Sequence, residues 1–171
     1  DKRELNKENM LVVMKLSRSI NSDHYKSNIL KKALRSKNLS KGAYDSFLIS
    51  LKDIRSDHYI TEVIKEWLNN KLDEDSLNQV LESIKTNISS DNYATTIYKK
   101  IASRNDLTEN QLINVLNATE KIGSSNYLSS TLLAFAPQVK KSSNKVKDVY
   151  IKVAKSISSE AYFGRAMKAI Y

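Results

Sequence analysis

Apolar and aromatic residues recur along this chain at helical spacing, and the pattern repeats five times. Counted from Ile20, Ile54, Ile88, Ile122 or Ile157, they fall mostly at offsets +5, +9, +10, +13 and +14. In the second copy these positions hold Tyr59, Val63, Ile64, Trp67 and Leu68. Such offsets share one face of a helix of 3.6 residues per turn. Apolar residues one and two turns before each isoleucine, such as Phe47, Leu48 and Leu51, predict another helix, so each unit is predicted to be a helical hairpin.

A hexapeptide of the form Ile-x-Ser-Asp-x-Tyr marks the same point in every unit. The last two copies have Ser125 and Glu160 in place of the aspartate. The steps between its isoleucines are 34, 34, 34 and 35 residues. This self-similarity is typical of stacked arrays, in which each unit buries its apolar face against its neighbours. The sequence therefore predicts an all-α fold, a right-handed α-α superhelix (solenoid) of five helical hairpins in a single domain. The repeats are predicted at approximately residues 5–38, 39–71, 72–106, 107–141 and 142–171.

The motif has a structural interpretation at each position. Serine is an N-cap residue for the following helix, the acidic residue places negative charge at the positive end of its dipole, and isoleucine closes the hairpin from inside. Tyrosine is predicted to pack between adjacent repeats, with its hydroxyl free to bind a polar partner. The serines and tyrosines assigned to this structural role are Ser22, Tyr25, Ser56, Tyr59, Ser90, Tyr93, Ser124, Tyr127, Ser159 and Tyr162.

A second boundary recurs where a leucine precedes an N-cap residue type. The pairs Leu5-Asn6, Leu39-Ser40, Leu72-Asp73 and Leu107-Thr108 are predicted to open the first helix of each hairpin. The pattern loosens before the fifth hairpin, where Pro137 is expected to end the helix that precedes it.

This architecture resembles the α-solenoids of the HEAT, armadillo and tetratricopeptide superfamilies, and the resemblance covers Leu5 to Tyr171. The period is that of tetratricopeptide repeats, but their Trp, Leu-Gly, Tyr, Ala, Phe and Pro signature is absent from every unit. The chain is HEAT-like in the broad sense. Its Ile-x-Ser-Asp-x-Tyr units are also similar to repeats of unknown function in bacterial, especially Bacteroidetes-type, multidomain proteins. The resemblance implies a helical-repeat fold and transfers no functional residues.

Composition removes several classes of function. The chain has no cysteine, which excludes disulfides and thiolate metal sites and leaves the compartment open. No apolar run approaches the roughly 18 residues needed to span a bilayer. With only three glycines, a phosphate-cradling loop is not expected. His24 and His58 stand at the starts of neighbouring helices, but first-turn charge explains Asp23 and Asp57 better than metal binding does. No catalytic residue, metal or cofactor is predicted.

Charge is unevenly distributed along the chain, whose net charge is +9. Residues 1–52 carry 12 basic and 5 acidic residues, residues 53–120 carry 7 and 12, and residues 121–171 carry 9 and 2. Offset +11 forms a lysine column of Lys31, Lys65, Lys99 and Lys168. Because stacked repeats align equivalent positions, these lysines are a possible binding surface for an acidic protein or a nucleic acid. A solvated face is the simpler interpretation.

Together these features predict a non-catalytic scaffold that binds a protein or spaces domains in a larger bacterial protein. The alternative is nucleic-acid binding through a basic solenoid surface. Base-reading repeats carry two or three polar residues at fixed offsets, and no such triplet recurs here. The chain begins with Asp1 rather than Met, so we expect it to be a segment of a longer polypeptide. The last helix still presents apolar residues near Tyr171, so self-association through uncapped array ends is a further expectation.

Overall fold

The structure, a computed structural model, describes residues 7–36 and 41–171. These residues form ten α-helices and no strand, which confirms the all-α fold and the ten predicted helices. The helices are α1 (Lys7–Ser17), α2 (Asp23–Arg35), α3 (Lys41–Lys52), α4 (Asp57–Trp67), α5 (Glu74–Asn87), α6 (Asp91–Ala102), α7 (Glu109–Thr119), α8 (Ser125–Lys140), α9 (Asn144–Ala154) and α10 (Glu160–Lys168).

The chain divides into two compact units at the junction of Lys71 and Leu72. The N-terminal unit contains α1 to α4, and the C-terminal unit contains α5 to α10. Inside each unit, like helices of successive repeats pack against each other, so that α1 contacts α3 and α2 contacts α4. In the C-terminal unit α5, α7 and α9 form one such series, and α6, α8 and α10 form the other. The junction falls between the second and third predicted repeats. That all five repeats form a single domain stays a prediction.

The second helix of each hairpin begins directly after the motif serine, as predicted. Ser22, Ser56, Ser90, Ser124 and Ser159 are all N-cap residues with extended backbone conformation. The predicted hydroxyl bond forms only at Ser22, whose side chain accepts the N–H of Tyr25 at 3.5 Å. The other four serines make no such side-chain bond. The position of the cap is confirmed, but its hydroxyl contributes little of the capping.

Burial follows four of the five predicted offsets. In the second repeat Val63, Ile64, Trp67 and Leu68 are all buried. Offset +5 behaves differently, because Tyr25 is 65% exposed and the other four motif tyrosines are only half-buried. Burial of the tyrosine between repeats is therefore wrong for Tyr25 and incomplete elsewhere. The next position, +6, lies in the core instead and holds Lys26, Ile60, Ala94 and Leu128.

Two tyrosines outside the motif combine a buried ring with a hydrogen-bonded hydroxyl group. Tyr150 is fully buried and its hydroxyl donates to the carbonyl oxygen of Ala166 at 2.9 Å. Tyr98 is buried as well and donates to Ala118 O at 3.1 Å. Burial raises the pKa of both phenols far above the usual value, so both remain protonated hydrogen-bond donors at any physiological pH.

The first helices begin as the leucine boundaries predict where the structure describes them. Asp73 is the N-cap of α5 and accepts the N–H of Ser76 at 2.8 Å. Thr108 caps α7 through a reciprocal capping box with Gln111. Gln111 also donates to Leu72 O at 3.3 Å, which ties the two boundaries together. The pairs Leu5-Asn6 and Leu39-Ser40 lie outside the described residues.

Pro137 does not end its helix, contrary to the expectation from the sequence. Helix α8 continues through it to Lys140. The last turn is held from outside, since Val139 is fully buried and Gln138 Nε2 donates to Ala102 O and Arg104 O at 2.7 and 2.8 Å. These contacts offset the backbone hydrogen bond that proline removes.

Helix α1 exposes an apolar pair. Val12 is 53% exposed and Leu16 61% exposed, one turn apart. The equivalent residues in the third repeat, Val80 and Ile84, are buried. Self-association through such a face stays a prediction. None of the described helices has both the length and the apolar character required to cross a membrane.

Candidate functional site

Within each unit, the exposed face of the second helices is the best candidate for a binding surface. It is formed by offsets +4, +5, +8 and +11, whose residues are exposed or half-buried in α2, α4, α6, α8 and α10. Only the tyrosine at +5 is constant along the array. Offset +4 holds His24, His58, Asn92, Asn126 and Ala161, and offset +8 holds Asn28, Glu62, Thr96, Ser130 and Arg165. We refer to these four offsets, taken separately in each unit, as the second-helix face.

Aromatic edges link the tyrosines of the N-terminal unit to its two histidines. The ring of His24 contacts Tyr25 and Tyr59 edge-on, with centroid distances of 5.2 and 5.8 Å. His58 contacts Tyr59 at 5.0 Å. His24 Nε2 also lies 3.2 Å from Asn28 Nδ2. The histidines therefore help to fix the tyrosine rings of this face.

In the C-terminal unit the last motif tyrosine carries a cation above its ring. The guanidinium carbon of Arg165 lies 5.4 Å from the ring centroid of Tyr162. The backbone oxygen of Tyr162 accepts from the buried Ser129 hydroxyl at 3.0 Å. The backbone beneath this tyrosine is thereby fixed to the preceding repeat.

The acidic motif residue connects one repeat to the next. Asp23 Oδ2 accepts the backbone N–H groups of Arg55 and Ser56 at 3.1 and 3.0 Å. Asp91 Oδ2 accepts the N–H of Ser124 at 2.8 Å. These are bonds between a charged acceptor and an amide about one period away, which are stronger than neutral hydrogen bonds. The sequence interpretation assigned the carboxylates to the helix dipole alone and missed this contact.

The serine that replaces aspartate in the fourth motif keeps a link of the same kind. Ser125 Oγ lies 2.9 Å from Ser158 Oγ. A neutral hydroxyl pair thus stands where the earlier repeats have a carboxylate and an amide, so this link contributes less.

The lysine column is locally compensated in the N-terminal unit. Lys65 Nζ forms an ion pair with Glu62 Oε1 at 2.8 Å. The hydrogen bond from Lys65 lowers the pKa of Glu62, and the nearby charge of Lys31 lowers it further. Arg35 pairs with Glu66 at 2.7 Å, and its hydrogen bond lowers the pKa of that carboxyl. Both carboxylates remain ionised and neutralise part of the basic field.

In the C-terminal unit the column is interrupted. Lys99 lies on α6 and Lys168 is the last residue of α10, both exposed. Helix α8 packs against both α6 and α10, and at the equivalent offset it carries Leu133, which is 40% exposed. An apolar side chain therefore separates the two lysines.

Among the clefts lined by described residues, three lie between neighbouring repeats of one unit. The largest of these three, about 840 Å³, is in the N-terminal unit and is lined by charged residues that include Lys26 and Asp53. A cleft of about 390 Å³ runs between α5 and α7, and one of about 210 Å³ lies beside Asp91 and Tyr98. No group of three or more histidine and carboxylate residues within 7–36 and 41–171 could hold a metal ion. Sequence reasoning missed the charged cleft, although Lys26 in an otherwise apolar stripe could have revealed it.

Comparison with models of protein families, with curated proteins and with solved structures gives no significant match. The fold therefore defines a broad class, that of all-helical proteins built from consecutive helical hairpins.

Proposed function

We propose that this chain is a non-catalytic helical-repeat module, HEAT-like or tetratricopeptide-like in the broad sense, in a larger bacterial protein. It binds a protein partner through the second-helix face or spaces the domains of that larger protein. This function would require no cofactor and no catalytic residue.

The observation that carries the proposal is the tyrosine at offset +5 of the second helix in each repeat, which is exposed in the first repeat and half-buried in the other four. Tyrosine offers a large contact area at a small cost in side-chain entropy and is enriched at protein interfaces. Around it, offsets +4 and +8 differ from repeat to repeat in size and charge. Within each unit, a constant aromatic position with variable neighbours suits recognition of a protein surface.

Position-specific photo-crosslinking tests this proposal. Benzoylphenylalanine at Asn126, beside Tyr127 on α8, is expected to capture a discrete protein in cells that produce the full-length natural protein. The matched control is the same photoreactive residue at Asp148, which is also exposed but lies on the first helix α9. We expect Tyr127→Ala to reduce the yield at Asn126 severalfold. Equal yields at the two positions, unaffected by Tyr127→Ala, would refute the second-helix face as the interface.

Nucleic-acid binding is the second candidate, and the net charge of +9 favours it. The paired Glu62 and Glu66 and the apolar Leu133 argue against a continuous phosphate track. We therefore expect no strong binding of unrelated DNA or RNA at moderate salt. Titration at two salt concentrations measures this, with a quadruple variant in which Lys31, Lys65, Lys99 and Lys168 become glutamate. Micromolar binding with a slope of about −0.7 to −0.9 per phosphate contact, lost in the variant, would make nucleic acid the preferred partner.

A further inference from the structure

The charged cleft of the N-terminal unit lies between the hairpin turns of the first two repeats. Four cationic residues line it, namely Arg18, Lys26, Lys52 and Arg55, together with the two carboxylates of Asp23 and Asp53. Its charged lining is therefore net +2. Its volume of about 840 Å³ is within the range of small-molecule sites, roughly 300 to 1,000 Å³.

Lys26 is the unusual residue of this cleft. It is 4% exposed and occupies offset +6, where the next three repeats hold Ile60, Ala94 and Leu128. Burial of an ammonium group is costly unless it is well paired. The single ion pair of Lys26 among the described residues is with Asp53, at the long distance of 4.0 Å. The fold alone would be served better by an apolar residue, as the other repeats show.

The remaining charges of the cleft favour an anion. The side chains of Arg18, Lys52 and Arg55 are exposed and form no ion pair with any described residue. The carboxylate of Asp23 is already engaged, since its Oδ2 accepts two backbone N–H groups. Asp53, with 45% of its side chain exposed, is the carboxylate that pairs with a cation of the cleft.

We propose that this cleft binds a small molecule through a phosphate or diphosphate group, with Lys26 as the buried anchor. Arginine forks and lysine ammonium groups are the usual protein partners of phosphate oxygens. The charge of the lining matches a phosphate dianion. The polar walls do not suit an apolar ligand, and the net positive charge disfavours a metal cation. This site is separate from the second-helix face and does not depend on the proposed protein partner.

Calorimetric titration with pyrophosphate and with inorganic phosphate tests the site, at constant ionic strength and without divalent cations. We expect Lys26→Met to weaken pyrophosphate binding by about tenfold or more, because it removes the desolvated cation. The matched control is Lys32→Met, which removes the same charge from an exposed position of α2 outside the cleft. Its effect should be less than about twofold, because exposed charges are screened.

Two further measurements distinguish ligand binding from a merely structural ion pair. Lys26→Met should melt at or above the wild-type temperature, because the equivalent positions are apolar. Asp53→Asn should strengthen pyrophosphate binding, because it removes the competing carboxylate. Tighter binding of pyrophosphate than of phosphate would indicate a ligand with a diphosphate group. Tighter binding of phosphate would indicate a ligand with a single phosphate group. The proposal is overturned if the folded wild-type chain binds neither anion, or if Lys32→Met weakens binding as much as Lys26→Met.

Discussion

Truncation of Phe47 to alanine is expected to lower the free energy of unfolding of the N-terminal unit by about 3–5 kcal/mol. Phe47 is fully buried on α3. Its ring meets Trp67 edge-on at 5.2 Å and stacks on Tyr44 at 5.9 Å. Alanine would remove both ring contacts and leave a cavity. The surrounding backbone cannot fill this cavity unless a helix moves. Denaturant unfolding followed by circular dichroism measures the change.

The matched control for Phe47→Ala is Tyr25→Ala in the same unit. Tyr25 is 65% exposed, so its removal should change the stability by no more than about 0.5 kcal/mol. The sequence alone predicted that the motif tyrosine packs between adjacent repeats. If Tyr25→Ala proved as destabilising as Phe47→Ala, the exposed position of Tyr25 would be wrong.

Replacement of Asp91 by alanine is expected to destabilise the C-terminal unit by about 1–3 kcal/mol. The reason is the lost carboxylate bond to the N–H of Ser124 at 2.8 Å, which leaves a half-buried amide without its acceptor. Asp91→Asn keeps an oxygen at the same place and should lose less. Thermal and denaturant unfolding of both variants would give the difference.

A control separates this bond between repeats from the helix dipole. Asp75 lies in the first turn of α5, is exposed and has no hydrogen bond or ion pair with any described residue. Asp75→Ala removes a dipole interaction alone, worth typically 0.3–1 kcal/mol. Equal losses from Asp75→Ala and Asp91→Ala would show that the dipole explains both, and the contact with Ser124 would then contribute nothing measurable.

The periodic pattern located the helices well because their boundaries are local. Each second helix begins one residue after a motif serine, and the buried offsets +9, +10, +13 and +14 follow from 3.6 residues per turn. The tyrosine was misplaced because offset +5 lies about 110° from the centre of that apolar stripe, at 100° per residue. Offset +6 lies near the centre, so the burial of Lys26 was readable from the same geometry. Because lysine is not an apolar residue, offset +6 was not recognised as a core position from the pattern.

The candidate sites were harder to predict because they depend on contacts between repeats. The bond from Asp91 to Ser124 joins residues 33 positions apart, and no local propensity encodes it. Continuation of α8 through Pro137 likewise rests on the bonds of Gln138 to Ala102 and Arg104, which outweigh the local preference. The lysine column was visible in the sequence as a regular spacing. The ion pair of Lys65 with Glu62 could be recognised only from the distance between the two side chains.

The carboxylate bonds also bear on how such an array can change its length during evolution. Asp23 reaches Ser56, and Asp91 reaches Ser124, each 33 residues further along the chain. Recombination that duplicates or deletes one whole unit would bring an equivalent acceptor and an equivalent amide together again. An insertion of a few residues inside a unit would instead separate them. Gain and loss of entire hairpins is therefore the tolerated form of variation, and relatives of this chain should differ in length by multiples of about 34 residues.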